Sequence, residues 1–204
     1  KTSKKIFSEA RKNYRKCIEI AERNDSFIKK LDNSHNIART YLSEGYWNKD
    51  NKKLELHDKY SLENLKFANI LKDEDIGPIY SNLAESYLLQ KKYDLAEKYI
   101  ELGYDLAIKN NSQFGLGYVY RHYISLSLEH YDDIDKAKDY LKKWEVIGKN
   151  LENWGGLAFA YRKFSKYYKS KGNSKKEKYY IDLFEKYAKK RADREDIEMI
   201  YKNH

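Results

Sequence analysis

Residues 80–104 carry a side-chain pattern that returns elsewhere in the chain, and a chain that repeats itself folds as a stack of similar pieces. The unit runs Tyr80, Leu83-Ala84, Tyr87, a short polar break, then Tyr93, Ala96, Ile100 and Gly103. Small residues at Ala84 and Ala96 let two helices of a hairpin approach closely, while Leu83, Tyr87, Tyr93 and Ile100 fill the seam around them. Forty-one residues on, the frame reads Arg121, Ile124-Ser125, Leu128, Ile134, Ala137 and Leu141. Forty further on, it reads Tyr161, Phe164-Ser165, Tyr168, Gly172, Ile181 and Phe184. Thirty-nine back from Tyr80 lies a poorer copy: Tyr41, Gly45, Leu54, Ser61 and Asn64. The N-terminal stretch carries a second-helix signature alone, in Ala10, Tyr14, Cys17 and Ala21.

Composition agrees with helices joined by short breaks. Pro78 is the one proline, so little in the chain interrupts helical hydrogen bonding. Tyrosine occurs 21 times, which suits helix pairs whose rings fill the layer while their hydroxyls reach its edge. Polar breaks at Asn24-Asp25, Lys72–Asp75, Asn110–Ser112, Asn150–Asn153 and Gly172–Ser174 mark the turns.

The unit at 80–104 resembles the tetratricopeptide repeat (TPR): aromatic, Leu-small, Tyr, then Ala and a large apolar residue. The resemblance covers residues 5–190 and implies an all-α, right-handed superhelical solenoid of antiparallel helix hairpins. On it, a partial repeat occupies 1–32 and whole repeats occupy about 33–75, 76–113, 114–153 and 154–190. A capping or linker helix follows at 191–204, with Ala192, Ile197, Ile200 and Tyr201 as its apolar side. The period of ~40 exceeds the ~34 of the standard motif, and prolines at the repeat ends are missing. Both departures resemble the long repeats of bacterial regulatory proteins. HEAT-like and other helical repeats share the length and are the alternative fold.

In such a superhelix the first helix of each hairpin lines the concave face. The resemblance therefore implies a peptide-binding groove from Leu42 and Tyr46, Ser81 and Glu85, His122 and Leu126, and Arg162 and Lys166, with Asn82 and Tyr123 one turn on. That groove grades from apolar-aromatic to basic and suits a peptide with an apolar anchor and an acidic group. The Lys and Asn arrangement that grips a C-terminal carboxylate is not reproduced, so carboxylate-end recognition is not expected.

Catalytic and metal motifs are not found. The histidines at 35, 57, 122, 130 and 204 form no HExxH and no i, i+4 pair. Asp132, Asp133 and Asp135 follow His130 but lack the glycine and distal glutamate of a calcium loop, and an inter-helix turn favours Asp on its own account. Cys17 is the one cysteine, which excludes an intrachain disulfide and a Cys-based zinc site; it falls in a small-residue slot, where a buried thiol is expected. Gly115-Leu-Gly117 and Gly155-Gly156 lack a phosphate loop's remaining residues and read as loop-to-helix junctions. No enzymatic activity, cofactor or metal is expected.

Net charge is +9, and the excess sits at the two ends: 10 basic and 5 acidic groups in residues 1–36, 14 and 7 in 161–204. The lysines are interleaved with Glu and Asp, as on solvated helix faces, so nucleic-acid binding through the basic C-terminal region ranks as an alternative without a recognition motif. No apolar run reaches the ~20 residues of a membrane helix, and no signal peptide is visible, so a cytoplasmic location is expected. Lys1 in place of an initiator Met makes the chain read as part of a longer protein. The leading expectation is a protein- or peptide-binding scaffold, the regulatory or sensory module of a larger bacterial signalling or transcription-regulating protein. A stand-alone receptor for a short signalling peptide is the second reading.

Overall fold

The structure, a computed structural model, describes the backbone at residues 2–71 and 76–202 and the side chains at 5–69 and 76–194. Every described element is an α-helix: α1 (Thr2–Arg23), α2 (Phe27–Asn48), α3 (Asn51–Leu71), α4 (Gly77–Leu89), α5 (Tyr93–Lys109), α6 (Gln113–Glu129), α7 (Ile134–Asn150), α8 (Trp154–Ser170) and α9 (Ser174–Lys202). Pro78 lies in the first turn of α4, where a missing N–H costs nothing. The chain divides into two compact units, Lys1–Gly103 and Tyr104–His204.

The turns expose the repeat more clearly than the helices do. Inside the hairpins α2–α3, α4–α5, α6–α7 and α8–α9, one residue takes a left-handed conformation: Lys49, Lys91, Asp132 and Gly172. Their spacings are 42, 41 and 40 residues. Between hairpins, Asp25, Asn111 and Glu152 do the same, the last two 41 apart. At most of these turns the next N–H reaches back five residues, as Lys92 to the Tyr87 carbonyl at 2.9 Å and Asn173 to that of Tyr168 at 2.9 Å. Such bonds satisfy carbonyls that a helix end would leave unpaired. The following helix is then capped by a side chain: Ser112 accepts from Gly115 N–H, Asp133 from Lys136 and Asn153 from Gly156.

In the first unit α1 packs on α2, α2 on α3 and α4, and α3 on α4. Leu83, Ala84, Ala96 and Ile100 are buried, as the seam pattern requires. A buried ion pair, Arg11 Nη1 to Glu44 Oε2 at 2.8 Å, ties α1 to α2, with the Arg11 guanidinium 4.3 Å above the Tyr41 ring. In the second unit α6 packs on α7 and α8, α7 on α8, and α8 on α9. Its core joins Ile124, Leu128, Ala137, Leu141, Trp144, Leu157, Tyr161, Phe164, Tyr168 and Tyr187. Tyr161 Oη donates to Glu145 Oε1 at 2.7 Å, so its ring is buried and its hydroxyl satisfied.

Three expectations change. The 32/33 boundary falls inside α2, which begins at Phe27. No separate helix starts at 191, because α9 runs unbroken from Ser174 to Lys202 and the residues around Lys190 include no Gly or Pro to stop it. The apolar side proposed for that helix at Ile197, Ile200 and Tyr201 lies outside the described side chains. Cys17 is exposed rather than buried: α1 packs on α2 alone among the described elements, and Cys17 lies on a stripe with Ile6 and Ile20, which are also exposed.

Candidate functional site

Counting back eleven residues from each left-handed hairpin residue gives Ala38, Tyr80, Arg121 and Tyr161 as equivalent positions. The first hairpin is therefore offset by three residues from the sequence alignment that matched Tyr41 to Tyr80. Positions one after this slot are Arg39, Ser81, His122 and Arg162, and those four further on are Ser43, Glu85, Leu126 and Lys166. Leu42 instead takes the small-residue place of Ala84, which is why it is buried at 8% exposure. Tyr46 is exposed and meets the still more exposed Trp47 edge-on, with ring centroids 5.3 Å apart.

The other residues of the expected groove divide sharply. Ser81, Asn82 and Glu85 on α4 are half-buried. Asn82 Nδ2 lies 3.3 Å from His35 Nε2 on α2, so this polar strip includes a histidine that the repeat pattern did not single out. Burial, then Arg39 and His57, hold the His35 pKa down at about 4, and its imidazole is neutral at physiological pH. In the second unit His122 and Leu126 are interior residues at 4% and 1% exposure and present no open surface. Burial, Arg121 and Lys163 take the His122 pKa down to about 3. Tyr123 is half-buried and stacked on Tyr140, centroids 4.7 Å apart and planes within 9°. Arg162 and Lys166 are exposed on α8.

A second arrangement has the connectivity of a nucleophile, base and orienting acid. On α3, Ser61 Oγ lies 3.0 Å from His57 Nε2, and His57 Nδ1 lies 3.1 Å from Asp58 Oδ1. Asp58 also accepts from Ser86 Oγ at 2.5 Å and from Gln90 Nε2 at 2.7 Å on α4. Burial alone would raise the Asp58 pKa, but the bonds from His57, Ser86 and Gln90 overcome it and hold the carboxylate below its ordinary range. His57 and Ser61 are both 0% exposed. No acyl group can reach Ser61 Oγ there, and the surrounding helical N–H groups are already committed to helix carbonyls. The cluster locks α3 to α4.

An open cavity of about 450 Å³ lies in the second unit, lined by Arg121, Glu152, Asn153, Trp154, Gly155, Gly156, Phe159, Arg191 and Arg194. Arg121 stands in the slot that holds Tyr80 and Tyr161 in other repeats, and its guanidinium lies 5.2 Å from the Tyr118 ring and 5.1 Å from that of Phe159. Its Nε is buried without a hydrogen-bond partner. Arg194 Nη1 lies 3.3 Å from Glu152 Oε2. The sequence signal for this cavity was present in the cation that replaces an aromatic at Arg121; Arg191 and Arg194 became part of it because α9 does not end at Lys190.

No family model matches the chain, and no curated protein sequence matches it. Among solved structures it resembles the crystal structure of BtubC (BKLC) from P. vanneervenii, with a TM-score of 0.65 and 15% identity, over 90% of this chain and 72% of that one. The likeness is one of fold. No helix among the described residues is long and apolar enough to cross a membrane.

Proposed function

We propose that the chain is a peptide- or protein-binding repeat scaffold of tetratricopeptide type, a right-handed solenoid acting as a regulatory or sensory module of a bacterial signalling or transcription-regulating protein. The observation that carries the reading is the recurrence of left-handed hairpin residues at 42, 41 and 40 residues, which marks four like hairpins. First helices of neighbouring hairpins pack together within each unit, α2 on α4 and α6 on α8, as stacked repeats require. The strip of His35, Arg39, Ser43, Ser81, Asn82 and Glu85 is a polar, partly open face with charges of both signs, suited to an extended segment that bears both signs. Binding rather than catalysis fits the sealing of the Ser61–His57–Asp58 cluster.

Selection of a random peptide library on the immobilised chain tests this. Selected peptides should bind the chain in solution, and Arg39→Glu or Glu85→Arg should weaken them at least about tenfold, near 1.4 kcal/mol, while Cys17→Ser changes nothing. Selection of no binder, or of binders indifferent to both charge reversals, overturns the proposal.

A further inference from the structure

Helix α1 has one covered side and one bare apolar side. Phe7, Ala10, Arg11, Tyr14, Ile18 and Ala21 are buried or half-buried, the spacing of a single face laid against α2. Ile6, Cys17 and Ile20 are exposed, each isoleucine by more than half. At about 100° of turn per residue, these three and Asn13 share an arc of roughly 60°, about a quarter turn from the buried face. Steps of seven, four and three residues separate Ile6, Asn13, Cys17 and Ile20. That is the seam of a helix shaped to meet another helix. The apolar surface continues past its end: Phe27 and Ile28 open α2 more than half exposed. Ala21, next after Ile20, lines a shallow hollow of about 100 Å³ together with Phe27.

Charge narrows what can lie on this seam. Lys5, Lys12, Lys16 and Arg23 form the row beside it, at steps of seven, four and seven residues, and all four are exposed. No ion pair among the described residues engages any of them. Glu22, by contrast, is held by Lys30 of α2 at 2.6 Å. The solvent side of α1 thus sets five cations, this row and Arg15, against two carboxylates, Glu9 and Glu19. Like charges along one helix repel, and carboxylates brought alongside relieve the repulsion.

A second copy of the chain fits poorly, because a two-fold pairing of α1 with α1 sets one excess of cations against an equal excess. A bilayer asks for a broad apolar face, and α1 has given that face to α2, where Arg11 is buried against Glu44 at 2.8 Å. A narrow seam with a cationic edge is met by a helix that carries its own apolar seam and an acidic edge.

We propose that this flank of α1 docks an acidic amphipathic helix of a partner protein, its apolar seam on Ile6, Cys17 and Ile20 and its carboxylates along Lys5, Lys12, Lys16 and Arg23. The surface shares no residue with the α2–α4 strip, so the two proposals stand or fall separately. The probe is a synthetic peptide of about three heptads, with Leu along its seam and Glu on both flanks to keep it from pairing with itself. Fluorescence anisotropy of the labelled peptide, titrated with the full chain, should show saturable binding that weakens as salt rises. Replacing its Glu by Lys should weaken binding at least about tenfold, near 1.4 kcal/mol. Ile20→Asp and Lys16→Glu should each do the same, while Arg39→Glu changes nothing. The parent chain carries a readout of its own, since Cys17 is the one thiol. Bound Glu peptide should slow its alkylation by iodoacetamide, and the Lys peptide should not. No saturation, binding indifferent to Ile20→Asp and Lys16→Glu, or binding that leaves Cys17 as reactive as before overturns the proposal. Binding to phosphatidylserine vesicles in place of the peptide assigns the flank to a membrane, and self-association abolished by Ile20→Asp assigns it to a second copy. Either result also overturns it.

Discussion

The indole of Trp144 fills the space in which a Cβ on Gly117 would stand, and Gly156 clears a second side of the same ring, where an added Cβ would fall 2.7 Å from Cζ2. Trp144 on α7 is thereby sunk between α6 and α8 at 1% exposure. In an unconstrained helix, Gly→Ala stabilises by up to about 1 kcal/mol. Here the sign should reverse. Gly117→Ala is expected to cost about 1–3 kcal/mol by overpacking, measured by urea unfolding. Trp144→Phe should cost stability alone yet recover part of the Gly117→Ala loss in the double variant, giving a coupling that a purely local helix effect would not produce.

Acid should weaken the fold through two histidines. The unfolded chain protonates His35 and His122 below the ordinary value of 6.5, whereas the folded chain resists until about 4 and about 3. Between those limits the unfolded state binds more protons, so stability is fully present above about pH 6.5 and declines as pH falls. Each withheld proton contributes up to about 1.4 kcal/mol per pH unit in that window. A series of melting curves from neutral to acidic pH should show the decline, and His122→Gln should flatten it. An unchanged slope in that variant would remove His122 as a cause.

The left-handed turns make a reciprocal prediction. Lys91 holds φ at 58° at an exposed position, and Gly172 holds 67° at the equivalent turn two repeats on. A side chain there costs about 1–2 kcal/mol, offset in part by the extra freedom glycine gives the unfolded chain, about 0.4–1 kcal/mol. Lys91→Gly is therefore expected to raise stability by up to about 1 kcal/mol, and Gly172→Ala to lower it by a similar amount. Chemical denaturation of both variants reads the pair of signs.

The helical class and most turn positions were legible, because seam residues such as Leu83, Ala84 and Ala96 and polar turns such as Asn110–Ser112 act locally. Register in the first hairpin was not. Ala38 occupies the slot that Tyr80 and Tyr161 fill elsewhere, and Tyr41, one turn later, supplied a false match. That three-residue shift carried Leu42 and Tyr46 into the expected groove in place of Arg39 and Ser43. His122 and Leu126 were in register but are buried, since burial depends on what covers a helix face and not on its repeat position. The arginine cavity joins residues up to 73 positions apart, from Arg121 to Arg194, a separation at which spacing carries no signal.

The polar cluster between α3 and α4 yields the last prediction, which separates a structural network from a reactive one. Ser61 Oγ meets His57 Nε2, and His57 in turn meets Asp58, but Ser61 and His57 have no exposed surface. An activated serine would be acylated by a fluorophosphonate in the native protein; Ser61 should be inert to that reagent until the chain is denatured. Ser86→Ala should destabilise by about 1–3 kcal/mol, because Asp58 would keep its charge and burial while losing one of its donors. The same change should raise the Asp58 pKa and shift acid unfolding to higher pH, since a carboxylate held down by hydrogen bonds contributes stability that is lost as it protonates. Labelling of native Ser61 would reopen the catalytic reading. A Ser86→Ala variant with unchanged stability would show that the Ser86 hydroxyl does not hold Asp58.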